Sequence, residues 1–108
     1  MQTNNKMRVY ISGQITGNEN YKQQFKEAEE WLEKRGFEVI NPADTFTQKI
    51  EKSLNYKQLL ILDCFILINM CDAIFMLHGW QNSNGAKTEL TNAKATGKRI
   101  MYQDKFKK

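Results

Sequence analysis

The sequence predicts an α/β fold in which four strands alternate with helices. Four short runs rich in Val, Ile, Phe and Tyr, at residues 7–11, 37–40, 72–77 and 98–102, have the composition of strands. Segments with the three- and four-residue apolar spacing of helices separate them. This alternation is typical of a parallel sheet covered by helices. We therefore expect a small Rossmann-like (flavodoxin-like) three-layer sandwich with a four-stranded, mostly parallel sheet.

The size and composition of the chain fit one domain. Its 108 residues are enough for a hydrophobic core, and 41% hydrophobic with 26% charged residues is ordinary for a globular protein. We expect a single domain over residues 1–108, with its core at about 7–102 and a basic tail at 103–108. The net charge of +4 is mild and gives no strong signal for nucleic-acid binding.

The cysteines and the apolar runs bear on location. Cys64 and Cys71 lie in apolar surroundings and form no C-x-x-C pair, which argues against zinc and for reduced thiols. No signal peptide is visible, and the longest apolar run, residues 59–70, is interrupted by Asp63 and Asn69 and is too short to cross a membrane. We expect a cytoplasmic protein without a metal, a cofactor or membrane contact.

The first half of the chain has the pattern of a β-α-β unit. The first strand ends in the loop SGQITG at residues 12–17, where two glycines allow positive φ and close approach of the backbone to a ligand. A helix is predicted over residues 20–35, and the strand at residues 37–40 ends in Asn41-Pro42.

The next segment contains an anomalous acid. Residues 43–52 are predicted to be a loop or a short irregular helix, and Ser53 is a candidate cap for a helix over residues 54–70. That helix is apolar nearly all round, which favours burial on more than one side. An unpaired buried charge costs roughly several kcal/mol, so Asp63 should be paired or open onto a cavity. The alternative is a solvent-facing Asp on the helix edge.

The most informative stretch runs from residue 71 to residue 95. A buried strand leads into the polar loop NSNG at residues 82–85 and then into a helix that Ser83 or Asn84 caps and that carries Glu89. Ligands of open α/β sheets bind at the carboxyl ends of strands, beside helix N-termini. We predict that the NSNG loop cradles the polar end of a sugar or nucleotide. Carboxylates that face such a pocket indicate glycosyl chemistry.

Five motifs in a fixed order carry a resemblance to a known family. They are YISGQITG at 10–17, NP at 41–42, CDAI at 71–74, GW at 79–80 and S-x-GA-x-x-E at 83–89. With these motifs the chain resembles a small bacterial and phage domain family of uncharacterised function, itself similar to nucleoside 2-deoxyribosyltransferases and nucleoside 5′-monophosphate N-glycosidases. The resemblance covers residues 7–102.

The resemblance implies three catalytic residues. Glu89 matches a carboxylate nucleophile that attacks the anomeric carbon and releases the base. Tyr10 matches an aromatic hydroxyl close to that nucleophile. The family carries a second carboxylate where this chain has Cys64, and Asp63, one residue earlier, is the candidate to replace it. Structural alternatives are an acid favoured at a helix start for Glu89 and a core side chain for Tyr10.

The resemblance also implies a set of substrate-binding residues. Ser83 occupies the place of a phosphate-binding serine, although it also suits a plain N-cap. Trp80 either stacks on a base or packs under its loop. Gln14 stands where Pro or Ser is common in the family, and the lone His78 is treated as incidental. The predicted set is Ser12, Gly13, Gln14, Ile15, Gly17, Asn41, Gly79, Trp80, Ser83 and Gly85.

Two main hypotheses for function follow. The first is an N-glycosidase or 2-deoxyribosyltransferase acting on a (deoxy)nucleoside or its 5′-monophosphate. The second is a non-catalytic module of the same fold that binds a nucleotide or nucleotide-sugar. A protein–protein adaptor using Trp80 and the basic tail is a weaker third. The small-molecule partner would be a nucleoside or nucleotide, and the apolar helix at residues 54–70 favours a homodimer or higher homo-oligomer.

Overall fold

The computed structural model describes residues 6–45 and 52–106 of the chain. Four parallel strands form one sheet in the order β2-β1-β3-β4, which confirms the predicted fold class. In chain order the elements are β1 (Arg8–Ser12), α1 (Tyr21–Lys34), β2 (Glu38–Ile40), α2 (Pro42–Thr45), α3 (Tyr56–Met70), β3 (Ala73–Met76), a 3₁₀ turn (Trp80–Asn82), α4 (Asn84–Ala95), β4 (Arg99–Tyr102) and α5 (Gln103–Phe106).

The two faces of the sheet are covered by different helices. Val9 and Ile11 of β1 pack with Phe25 and Leu32 of α1 in one core cluster. Tyr10, between them in sequence, belongs to the opposite cluster, which includes residues of α3 and α4. Because successive side chains of a strand point to opposite faces, Ser12 shares the face of Tyr10. The polar residues of β1 are therefore directed towards α3 and α4.

Helix α3 begins two residues later than the sequence predicts. Asn55, and not Ser53, is its N-cap: the Asn55 side chain accepts a hydrogen bond from the Gln58 N–H at 2.9 Å. The Gln58 side chain in turn accepts from the Asn55 N–H at 2.9 Å. This reciprocal capping box satisfies two backbone donors, which explains why the helix begins there. Tyr56 is consequently the first residue of α3.

Two cations attach the carboxyl end of α3 to the sheet. The guanidinium of Arg8 on β1 donates to the Met70 carbonyl at 2.9 Å, and it also pairs with Glu38 of β2 at 2.9 Å. Lys98, just before β4, donates from Nζ to the Ile68 carbonyl at 2.7 Å. The last carbonyls of a helix have no partner within the helix, so these cations satisfy them and complement the helix dipole.

The outer face of α3 is exposed in the single chain. Of its residues only Leu67 is fully buried, whereas Ile61 is 70% exposed and Phe65 is 58% exposed. The expectation that this helix is buried on more than one side is therefore wrong for the isolated chain. The all-round apolar composition reflects one face on the sheet and α4 and a second, uncovered face.

The segments around α2 and at the carboxyl end differ in part from expectation. Residues 42–45 form the short helix α2, and the rest of the predicted loop, residues 46–51, lies outside the described residues. Residues 103–106 form α5 where a tail was expected, and Phe106 packs against Trp31 with ring centroids 5.4 Å apart. Within the ranges described, no helix is long and apolar enough to span a bilayer.

Candidate active site

A cavity of about 520 Å³ opens at the carboxyl edge of the sheet, between β1, α3 and the start of α4. This volume lies within the range of small-molecule sites. Its wall contains all three predicted catalytic residues: Tyr10, Asp63 and Glu89. The other lining residues are Ile11, Gly13, Ile15, Thr16, Phe25, Pro42, Tyr56, Leu59, Leu60, Asn82, Ser83, Asn84, Gly85 and Ala86.

The Glu89 carboxylate is held by two hydroxyls of β1. Glu89 lies on the second turn of α4 and is only 7% exposed. The Tyr10 hydroxyl donates to Oε2 at 2.8 Å, and the Ser12 hydroxyl donates to Oε1 at 2.6 Å. Each carboxylate oxygen can accept more than one hydrogen bond, so both retain a lone pair. The side chain is fixed in direction while it remains part of the cavity wall.

Burial sets the ionisation of this group. Removal from water raises the pKa of Glu89 to about 7, from its ordinary value of 4.5. The hydrogen bond from Ser12 opposes that rise, the negative charge of Asp63 adds to it, and the hydrogen bond from Tyr10 again opposes it. Burial, followed by the Glu89 charge, raises the pKa of Tyr10 well above its ordinary value. Tyr10 therefore stays protonated and acts as a donor to the carboxylate.

Asp63 of α3 reaches the same cavity as Glu89. Its charge raises the pKa values of both Glu89 and Tyr10, which places it within electrostatic range of each. Cys64, at the position where the similar family carries its acid, is absent from the cavity wall, and its sulfur accepts a hydrogen bond from Asn92 at 3.5 Å. The one-residue displacement thus leaves a carboxylate on the cavity side of α3. Its catalytic role stays a prediction.

The start of α4 supplies the polar end of the cavity. Ser83 is the N-cap, and its hydroxyl oxygen accepts from the Ala86 N–H at 3.1 Å. The hydroxyl can still donate its own proton towards a ligand, so capping and substrate binding are compatible. Asn82, Asn84 and Gly85 also line this end of the cavity, and binding of a ligand by this NSNG loop stays a prediction.

The loop after β1 contributes only part of the predicted contacts. Gly13 and Ile15 line the cavity, and Gln14 and Gly17 do not. The Gln14 amide donates to the Thr16 carbonyl at 3.0 Å and so shapes the loop from within. Ser12 is not part of the cavity wall either: it is buried, and its hydroxyl donates a hydrogen bond to Glu89. Direct substrate contact by these three residues stays a prediction.

Three other predicted contacts lie away from the wall. Asn41 is buried, donates to Glu29 at 3.0 Å and accepts from the Ala43 N–H at 3.0 Å at the start of α2. Gly79 has φ 85° and allows the turn before the 3₁₀ segment. The Trp80 ring packs against the Tyr102 ring, with centroids 6.1 Å apart. This contact corresponds to the second alternative for Trp80, in which it packs within the fold.

The sequence interpretation missed the α3 contribution to the wall. Tyr56, Leu59 and Leu60 line the cavity together with Asp63. Their spacing of three, four and seven residues puts them on one helix face. With Asp63 already predicted to face the cavity, this spacing could have identified the other three residues as part of the same wall. Thr16, Phe25 and Pro42 carried no comparable signal.

The remaining polar groups give no metal centre. Throughout residues 6–45 and 52–106, no three His, Cys, Asp or Glu side chains are grouped as metal ligands. His78 is exposed and pairs with Asp104 at 2.9 Å, outside the cavity.

The fold and the cavity together define a class of protein. It is a small α/β domain with a parallel sheet, whose cavity wall contains a buried carboxylate that accepts hydrogen bonds from two hydroxyls. The chain belongs to the family described as a domain of unknown function (DUF4406), whose profile matches residues 7–102. Membership confirms the expected family of uncharacterised function. The suggested link to 2-deoxyribosyltransferases stays a prediction.

Among solved structures, the chain is similar to the CMP N-glycosidase BcmB of Clostridium botulinum. The two share 24% sequence identity with a TM-score of 0.59, over 88% of this chain and 66% of that one. The chain thus spans slightly less than two thirds of that protein. At this identity the similarity shows a common fold. No curated protein matches the chain.

Proposed function

We propose that this protein is an N-glycosidase that cleaves the bond between base and sugar in a (deoxy)nucleoside or its 5′-monophosphate. The observation that carries this proposal is the Glu89 carboxylate, bonded by the hydroxyls of Tyr10 and Ser12 at the wall of a ligand-sized cavity. A nucleophile needs a fixed direction and a free lone pair, and this geometry supplies both. The shared fold with a CMP N-glycosidase supports the same class of substrate.

The proposed chemistry uses two carboxyl groups in succession. An oxygen of ionised Glu89 forms a bond to C1′ while the C1′–N bond breaks, and its electron pair goes to the base nitrogen. In the reactive state the two carboxyl groups hold one proton between them: Glu89 is ionised, and Asp63 carries the proton and gives it to the departing base. Water then attacks C1′, returns a proton to Asp63 and releases Glu89. A second base in place of water would give transfer, the 2-deoxyribosyltransferase outcome.

The raised pKa of Glu89 matters for this role. A pKa of about 7 leaves about half of the groups ionised at neutral pH, and a carboxylate of higher basicity is a stronger nucleophile. Tyr10 and Ser12 stabilise the ionised form and thus keep the nucleophile available although Glu89 is buried. Their hydrogen bonds also determine which way the carboxylate faces.

The polar end of the cavity suits the sugar substituents. Ser83 and the first turn of α4 offer hydroxyl and N–H donors to a 5′-hydroxyl or 5′-phosphate. Ile15, Phe25 and Pro42 form an apolar section that suits the flat face of a base. A nucleoside or nucleotide has a polar sugar part for the polar end and a flat base for the apolar section, so one ligand matches both parts of the cavity.

Base release, measured by chromatography, tests the proposal. The substrates are the common ribo- and deoxynucleosides and their 5′-monophosphates. The wild-type protein should release base from at least one, and Glu89→Gln should reduce kcat by roughly a thousandfold or more, because the nucleophile is lost. Glu33→Gln, an exposed change on α1, is the matched control and should keep full activity. Base release at the wild-type rate by Glu89→Gln would refute the mechanism.

A second candidate is a nucleotide-binding module without chemistry. The observation favouring it is that a buried carboxyl bonded by two hydroxyls also forms a complete structural network in its neutral form. This candidate expects measurable nucleotide affinity, equal in wild type and Glu89→Gln, with no base release. Affinity without turnover across the whole substrate panel would select it over the enzyme.

We also propose that the protein works as a cytoplasmic homodimer. Ile61 and Phe65, four residues apart on the exposed face of α3, can each pack against the same patch of a second copy around a two-fold axis. The free thiols of Cys64 and Cys71 are consistent with a reducing compartment. Sedimentation should show a dimer that Ile61→Lys dissociates. A concentration-independent wild-type monomer would contradict the proposal.

A further inference from the structure

Tyr56 stands at the mouth of the cavity. It is the first residue of α3, placed there by the Asn55 capping box, and its side chain is part of the cavity wall. The residue is 59% exposed, so the ring is not a core side chain. A large aromatic that stays accessible at the rim of a cavity is available to a ligand.

The Tyr56 hydroxyl approaches the first turn of α4 at Gly85. A Cβ added to Gly85 would lie 3.0 Å from the Tyr56 hydroxyl oxygen and 3.7 Å from the Ser83 hydroxyl oxygen. Both hydroxyls are therefore adjacent to one backbone position, and the glycine leaves the space into which Tyr56 reaches. Together they form a polar pair at this end of the cavity.

The separation of Gly85 and Glu89 along α4 is close to the length of a sugar. Gly85 and Glu89 are four residues apart, about one turn or ~6 Å along α4, and share one face of the helix. A furanose ring separates its anomeric carbon from its C5′ substituent by a comparable length. With C1′ at Glu89, the sugar can place its 5′ group beside Gly85, close to the hydroxyls of Tyr56 and Ser83.

We propose that Tyr56 determines substrate specificity by donating a hydrogen bond from its hydroxyl to the oxygen carried on C5′ of the substrate. This inference rests on the proposed N-glycosidase function and adds a residue and a contact to it. The oxygen belongs to a free hydroxyl or to the ester linkage of a 5′-phosphate, and in either compound it has a lone pair that can accept this hydrogen bond.

The test compares substrates with and without that oxygen. For a cleaved nucleoside or 5′-monophosphate and the matching 5′-deoxynucleoside, kcat/KM is measured in wild type, in Tyr56→Phe and in the control Tyr102→Phe. Tyr102 packs against Trp80 outside the cavity wall. The wild-type preference for the 5′-oxygenated substrate should fall roughly three- to tenfold in Tyr56→Phe, the range of one partly exposed hydrogen bond. Tyr102→Phe should keep it.

Gly85→Ala provides an independent perturbation of the same contact. Alanine favours a helix over glycine, so this variant should fold at least as well as wild type. Its methyl group, 3.0 Å from the hydroxyl oxygen, forces Tyr56 to shift and should lower the same preference. In the double variant with Tyr56→Phe the two losses should not add, because the hydroxyl is already gone.

The outcomes separate this inference from the function on which it rests. If wild type releases base and Tyr56→Phe keeps the full 5′-oxygen preference, the inference is wrong and the function stands. If wild type releases no base, the same preference is measured as a ratio of binding affinities by calorimetry. Loss of that ratio in Tyr56→Phe supports the contact in a binding module. A ratio equal to wild type, or no binding at all, overturns it.

Discussion

The buried carboxyl of Glu89 should make the stability of the protein depend on pH, and Glu89→Gln should remove that dependence. In the unfolded chain this carboxyl ionises near its ordinary pKa of 4.5, whereas in the folded protein it ionises at about 7. Between these values the unfolded state releases its proton first. Folding stability from this group is fully present below pH 4.5, falls as pH rises, and is lost above about pH 7.

The magnitude follows from the two pKa values. Each pH unit between 4.5 and about 7 is worth about 1.4 kcal/mol, so the neutral-to-ionised change destabilises the fold by about 3 kcal/mol. A glutamine has no such titration, and its amide can hydrogen-bond with Tyr10 and Ser12 once their hydroxyls rotate. The free energy of unfolding of Glu89→Gln, relative to wild type, should therefore increase by about 3 kcal/mol from pH 4 to pH 8.

Urea unfolding at several pH values between 4 and 8 measures this difference without any substrate. The exposed substitution Glu33→Gln is the control and should give a curve parallel to that of wild type. Two parallel curves for wild type and Glu89→Gln would refute the reasoning, because the carboxyl would then ionise alike in both states. A difference that grows towards low pH would reverse the sign and refute it equally.

Three further predictions concern the same site and its supports. Ser12→Ala should move the midpoint of the rising limb of the kcat/KM pH profile above about 7, since it removes a hydrogen bond that favours the Glu89 carboxylate; an unchanged midpoint or a shift to lower pH would contradict this. Gly13→Ala places a Cβ 2.9 Å from the Leu77 side chain and should therefore lower the free energy of unfolding by about 1–3 kcal/mol. An unchanged midpoint of urea unfolding would contradict this tight packing. Asn55→Ala should lower the free energy of unfolding by about 1 kcal/mol through loss of the α3 cap, measured in the same way.

The fold could be predicted because the strand patterns, the helix patterns and their order along the sequence all indicate the same architecture. Apolar runs of strand length alternate with helical spacing, and this is enough to give a parallel sheet with helices on both faces. The start of α3 was predicted wrongly, although Asn55 and Gln58 carry the capping-box spacing. The sequence indicated surplus apolar surface on α3, but which residues form the exposed face could not be recognised, because an apolar residue has the same letter whether it faces a core or an uncovered surface.

The sequence predicted that Glu89 lies in the cavity wall, and it predicted the surroundings of Glu89 less well. Glu89 could be identified from its place on the helix after a strand-end loop. The hydrogen bond from the Ser12 hydroxyl to Glu89 was not predicted. It could have been, because Tyr10 was expected near Glu89 and alternate residues of β1 share one face of the sheet. The direction of Asp63 depended on helix rotation of about 100° per residue, which the sequence leaves open until the helix is docked.

Tyr56 and Asp63 lie at different distances from the carboxyl end of α3, which is attached to the sheet. Arg8 and Lys98 hold the carboxyl end of the helix, and Tyr56 lies at the far end. At 1.5 Å per residue, Tyr56 is ~21 Å from Met70 and Asp63 is ~10 Å from it. A tilt about the fixed end therefore moves Tyr56 about twice as far as Asp63. A small tilt of this kind would change the width of the cavity rim at Tyr56 more than the spacing of Asp63 and Glu89.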